Sequence, residues 1–89
     1  MRYEWDDNKN RRNILLRGLD FKDASRFDWD DASYFLDTRV DYGEVRIVAF
    51  GEIDKRLSAL VFTPRPQCIR IISWRKANTR EIKLYGKQD

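Results

Sequence analysis

VRIVAFGEIDKRLSALVFTPRPQCIRIISWR, residues 45–75, holds three stretches rich in Val, Ile, Phe, Leu and Thr, at 45–51, 57–63 and 69–75. Turn-like clusters separate them, Glu52-Ile53-Asp54-Lys55 and Pro64-Arg65-Pro66-Gln67. A fourth such stretch, 33–40, precedes Asp41-Tyr42-Gly43-Glu44. β-Branched and aromatic residues suit a pleated, half-buried surface, and Gly, Pro and Asp punctuate it. Links this short favour antiparallel neighbours, because a parallel crossover needs about a dozen residues or more. The reading is a four-stranded antiparallel meander.

Helical signals lie on either side. Tyr3 to Trp5 reads as a short strand, after which Asp6 or Asp7 caps a helix through about Arg17, stopped by Gly18 at the C′ position. In that helix Ile14 and Leu15 are expected to face the core, with Lys9, Arg11 and Arg12 outward. Asp20 caps a second short helix with Asp23 at N3 and Phe21, Ala24 and Phe27 as its buried stripe. Beyond the meander, Asn78-x-x-Glu81 resembles a capping box and opens a helix through Ile82 and Tyr85 to Gly86. The order β-α-α-β-β-β-β-α argues for an α+β fold with helices on one face of the sheet. Residues 1–89 read as a single domain.

Composition narrows the chemistry. Hydrophobic residues are 42% and charged residues 37%, enough apolar content for a core. Cys68 is the one cysteine and there is no histidine, which excludes an internal disulfide framework, a Cys/His zinc site, Ser-His-Asp triads and Cys-His dyads. No cofactor or metal site is expected. The opening MRYEWDDNK has no apolar signal core, and no apolar run is long enough to span a bilayer, so a soluble, cytoplasmic protein is expected. The net charge of +3 divides unevenly. Residues 65–89 carry seven bases (Arg65, Arg70, Arg75, Lys76, Arg80, Lys83, Lys87) against two acids, giving +5, and residues 1–64 stand at −2. Such a basic third is either an electrostatic footprint for RNA or a solvated surface.

Arginines lie among the strand residues. Strict alternation puts Arg46 on the face of Val48 and Phe50, Arg75 on that of Ile69, Ile71 and Ser73, and Arg70 on that of Ile72 and Trp74. A guanidinium cannot stay unpaired in a core, so each sits at a strand end, pairs with a carboxylate such as Glu44 or Glu81, or lines an anion site. Cleavage of RNA by its own 2′-hydroxyl needs a proton acceptor, charge stabilisation at phosphorus and a proton donor. Without histidine those roles fall to Arg, Lys, Tyr and carboxylates. Arg75, Arg46, Glu44 and Lys76 are the catalytic candidates, with Arg70, Arg80, Lys83, Tyr42 and Arg17 as RNA contacts. Glu81 and Tyr85 complete the set of possible proton carriers.

A longer pattern runs through these pieces. Trp5-Asp6 stands with Lys9 and Asn13, then Arg17-Gly18-Leu19-Asp20-Phe21 with Ala24, Phe27-Asp28-Trp29-Asp30, and Asp37-Thr38-Arg39. Asp41-Tyr42-Gly43-Glu44 with Arg46 follows, then Gly51, Val61-Phe62-Thr63-Pro64-Arg65, Ile69 to Asn78, and Glu81 with Tyr85. In this order and spacing, over nearly the whole chain, they resemble the BrnT toxin family. The resemblance implies a RelE-like fold and toxicity through RNA cleavage and arrest of translation. It also implies a complex with a BrnA-like antitoxin whose ribbon–helix–helix part binds DNA, so that the toxin meets DNA only through its partner. One departure is Leu16-Arg17-Gly18, where many members have Lys-His-Gly. It leaves open a second reading, a catalytically inactive relative or a non-catalytic RNA- or protein-binding module.

The charge asymmetry makes a prediction of its own. Binding to generic RNA should weaken steeply from low to physiological salt through counterion release. Charge reversal at Arg80 and Lys83 should matter less than at Arg75. Fluorescence anisotropy across a salt series measures this, and a salt-independent affinity would remove the electrostatic footprint.

Overall fold

The computed structural model describes residues 2–86, so Lys87 of the basic third lies outside the described residues. The chain runs β1 (Arg2–Trp5), α1 (Asp7–Arg17), a 3₁₀ helix (Phe21–Arg26), β2 (Ser33–Leu36), β3 (Ile47–Ile53), β4 (Arg56–Arg65), β5 (Cys68–Lys76) and α2 (Thr79–Tyr85). The fold is α+β. Strands β2 to β5 pair antiparallel in chain order, but β1 joins β5 in parallel, so the sheet is five-stranded and mixed rather than four-stranded and antiparallel. The sequence between β1 and β5 is long enough for a parallel crossover, which the short links of the meander are not.

Local chemistry explains most boundaries. Asp6 caps α1 by accepting from the Lys9 N–H, and Gly18 ends it at φ 71°. β2 stops at Leu36, short of residue 40, and its ladder with β3 closes on the Asp37 N–H, which donates to the Arg46 carbonyl ahead of the 37–46 loop. Asp54 and Lys55, at φ 49° and 66°, form a two-residue turn between β3 and β4 of the type that matches strand twist. Gly51 is required on steric grounds, since a Cβ there would lie 2.5 Å from Cζ of Phe27.

A bulge revises the expected alternation in β5. Val61 pairs with Ser73 but Phe62 pairs with Ile71, which leaves Ile72 as an extra residue. Ile69, Ile71 and Trp74 therefore all reach the same core, while Arg70, Ser73 and Arg75 share the other face. Arg75 is thus not on the face of Ile69 and Ile71, nor Arg70 on that of Trp74.

The core lies beneath one face of the sheet, where Phe21, Ala24 and Phe27 pack on Ala49, Leu60, Ile71 and Trp74. α1 contributes differently from its expected part. Leu15 is 86% exposed, Ile14 and Leu16 are exposed as well, and the buried residue of the helix is Asn13. The reason lies in β5, which β1 covers only from Cys68 to Ile71. Past that point the Trp74 N–H has no strand to meet, and Asn13 Oδ1 accepts it at 3.2 Å while Nδ2 donates to the Leu19 carbonyl at 2.8 Å. The helices also do not share one face. α2, opened by the Asn78/Glu81 capping box, crosses to the opposite face, where the Tyr85 ring stacks on Phe50 at 4.4 Å.

Asn13→Ala should consequently destabilise the protein by about 2–4 kcal/mol, because a buried donor and a carbonyl lose their partner together. Leu15→Ser should stay within about 0.5 kcal/mol of wild type, as surface changes do. Urea unfolding of both variants is decisive, and the reverse order would refute this docking of α1.

Candidate functional site

The face opposite the core is the place where charge and aromatic rings converge. A cleft of about 440 Å³ opens between β2, the face of β3 to β5 and α2. Phe35, Phe50 and Tyr85 supply its aromatic wall, with Phe35 5.2 Å from Tyr85. Arg17 from the end of α1, Arg39 from the β2–β3 loop and Arg75 from β5 supply three guanidiniums, against Asp37 as the acid. The bulge at Ile72 is what turns Arg75 into this cleft.

Each of two arginines is held by a carboxylate behind it. Arg75 donates from both terminal nitrogens to Glu81, at 2.8 and 2.9 Å, tying α2 to the sheet. Glu81 is only 15% exposed and Arg75 41%. The same Glu81 accepts from the Asn78 N–H, and its Arg75 partner holds its carboxyl below the usual range. Arg39 donates to Asp37 from Nε at 2.9 Å and Nη2 at 2.8 Å, and the Tyr42 hydroxyl donates to the same carboxylate at 3.2 Å. Asp37 is 2% exposed and Arg39 77%. The Arg39 fork holds the Asp37 carboxyl down at about 2 despite its burial.

The other candidates lie around this cleft. Arg46 and Glu44 line an adjoining cavity that shares Leu36 and Asp37 with the first. Arg46 donates to Glu44 at 3.2 Å and lies 4.0 Å over the Tyr42 ring, while Thr63 donates to Glu44 from its hydroxyl. Arg46 and Thr63 hold Glu44 below the usual carboxylate range, which makes it a weak proton acceptor at neutral pH. Arg70 is on the open face but paired with Glu4 at 2.6 Å, and Cys68 donates its thiol to the same Glu4, which pushes the thiol up. Arg80 lines a shallow cavity beside α2, and Lys83 is exposed in its last turn. Lys76 is not brought to Arg75. It lines a separate cavity of about 430 Å³, where Asp23 and Asp54 grip Arg26 at 3.0 and 2.8 Å.

Arg39 and Asp37 stand outside the sequence-derived candidates. Their signal is an Asp two residues before an Arg just past a strand, the spacing of an Asx turn, and the Arg39 N–H does donate to Asp37 Oδ1 at 3.3 Å. Among the described residues no cluster of His, Cys, Asp and Glu is placed to hold a metal ion. No described helix is long and apolar enough to cross a membrane.

The family model for the ribonuclease toxin BrnT of type II toxin–antitoxin systems matches residues 5–81. No curated protein matches the chain. The matched span runs from the last residue of β1 into α2 and includes every cleft residue named above except Tyr85.

Asp37 gives the site a pH signature. Its folded pKa lies below its ordinary value of 3.8, so the stability it contributes is complete above that value and is lost as pH falls toward about 2. A carboxyl NMR titration should show Asp37 ionising with a midpoint near 2. The 37–46 loop should loosen only below that of an ordinary carboxyl. An ordinary midpoint would show that Arg39 does not hold the carboxylate in solution.

Proposed function

The chain belongs to the BrnT family of ribonuclease toxins from type II toxin–antitoxin systems, and on that premise we propose that it is a metal-independent endoribonuclease. It acts as one domain in the cytoplasm, cleaves RNA and so arrests translation. A BrnA-like ribbon–helix–helix antitoxin neutralises it, and DNA is reached only through that partner. A RelE-like relationship fits an α+β domain that works with arginines where other ribonucleases use histidine.

The observation that carries this reading is the convergence of Arg17, Arg39 and Arg75 with Phe35, Phe50 and Tyr85 in one open cleft. Guanidiniums offer planar forks to phosphate oxygens, and exposed rings offer stacking surfaces to bases. In the reaction the 2′-hydroxyl oxygen attacks the adjacent phosphorus and the 5′-oxygen of the next nucleotide leaves. One proton departs from the attacking oxygen and one is delivered to the leaving oxygen. Charge gathers on the non-bridging oxygens, where Arg75 stabilises it. Arg46 and Tyr42, in the adjoining cavity, contact the flanking backbone, with Glu44 holding Arg46 in place. The second reading, an inactive relative that still binds its antitoxin, draws on Arg17 in place of the family histidine, since Arg17 lines the cleft itself.

Inducing the lone gene should arrest growth, and co-expression of the antitoxin should relieve the arrest. Arg75→Ala should abolish arrest at a stability cost of about 1 kcal/mol, because the Arg75–Glu81 pair is half-exposed and not a buried ion pair. Arg75→Lys, which keeps the charge without the fork, should retain partial toxicity. Cleavage of RNA by purified protein should persist in chelator. A stable, fully toxic Arg75→Ala protein would remove Arg75 from the mechanism, and wild-type protein that cleaves nothing would leave the antitoxin-binding reading.

A further inference from the structure

Arg39 and Arg75 repeat one arrangement from opposite sides of the cleft. In each pair a carboxylate, Asp37 or Glu81, is hidden behind its guanidinium, and the base faces solvent. Asp37 takes the Nε and Nη2 donors of Arg39, while Glu81 takes one donor from each terminal nitrogen of Arg75 and the Lys76 carbonyl takes a second from Nη1, so three N–H groups of Arg39 and two of Arg75 remain for another acceptor. The two cations are close enough that Arg39 disfavours the charged form of Arg75. Like charges anchored independently on facing elements hold each other at a cost, and an anion between them turns that repulsion into attraction. Beside them Phe35 leaves a half-exposed ring and Tyr85 flanks it, the surface on which an unpaired base stacks.

We infer that Arg39 and Arg75 seat one phosphodiester group of single-stranded RNA between them, with Asp37 as the positioning residue that aims Arg39. The inference rests on the ribonuclease reading and names the part of the substrate that the cleft grips. Asp37 is suited to that part because the Tyr42 hydroxyl donates to the same Oδ2 that takes Arg39 Nη2, which braces the carboxylate and with it the fork. A duplex would not serve, because its stacked bases cannot reach Phe35.

The test uses a single-stranded 2′-O-methyl RNA of mixed sequence, which lacks the attacking hydroxyl and is bound without being cut. Its affinity is read by anisotropy over a salt series, beside a thermal melt of each variant. Arg39→Gln should weaken binding about 10- to 100-fold and lower the log–log salt slope by about 0.7, the loss of one single-strand phosphate contact. Its melting temperature should fall only by what the Arg39–Asp37 pair contributes, leaving the protein folded in the assay, and Arg39→Lys should bind between Arg39→Gln and wild type. Asp37→Asn should reproduce the Arg39→Gln loss, and the double variant should bind no worse than Arg39→Gln alone, because both act through one guanidinium. Binding and slope unchanged in Arg39→Gln would overturn the seat, and fully additive losses would overturn the positioning role. Wild-type protein that binds this RNA through Arg39 yet cuts no unmodified RNA would sink the nuclease reading and keep the seat. Cleavage untouched by Arg39→Gln would do the opposite.

Discussion

One backbone amide, that of Trp74 where β1 no longer covers β5, governs how the rest is assembled. β5 is the strand that β1 pairs with, and it continues beyond β1 with the backbone donors of that edge uncovered. Asn13 meets the first of these that is buried, at Trp74, and with its other end holds the Leu19 carbonyl just past the helix cap. A side-chain amide here substitutes for a strand. It explains why α1 presents a polar residue to the protein and leucines to water, a reversal of ordinary amphipathic packing. Trp74 is then held at both ends, since its ring N–H donates to Ser58 at 2.7 Å. Buried polar groups of this kind carry a large penalty when unmade, so they specify one docking geometry more sharply than apolar contact does.

The strands were legible because their chemistry is local. Alternating Val, Ile and Phe with short turns sufficed for β2 to β5, and the caps at Asp6, Gly18 and Asn78 sit where the residue types place them. What alternation cannot disclose is a count error built into the ladder. The extra residue at Ile72 has no compositional mark, yet it inverts every face assignment on one side of it and brings Arg70 and Arg75 to the same surface. The parallel placement of β1 is equally invisible, being a contact between residues more than sixty positions apart.

The site divides the same way. Arg75 with Glu81, and Arg46 with Glu44, were readable because strand arginines demand partners and acids stood near in sequence. Arg39 lay in a segment that reads as strand, and only the loop begun by Asp37 turns it into the cleft. Lys76, adjacent to Arg75 in sequence, is separated from it for the simplest of reasons: neighbouring residues of a strand point to opposite sides.

The pairing of Arg2 with Cys68 and Trp5 with Ile71 has a consequence in time. β1 precedes its partner β5 by more than sixty residues, so this edge of the sheet closes only once β5 is available. Non-local closure of this kind folds slowly and without partial credit. Arg75 and α2 follow those strand pairs in sequence, so the cleft cannot be assembled before β5 is. The cleft and the β1 edge of the sheet therefore depend on one strand, and neither can form before residues 68–76 are available to both.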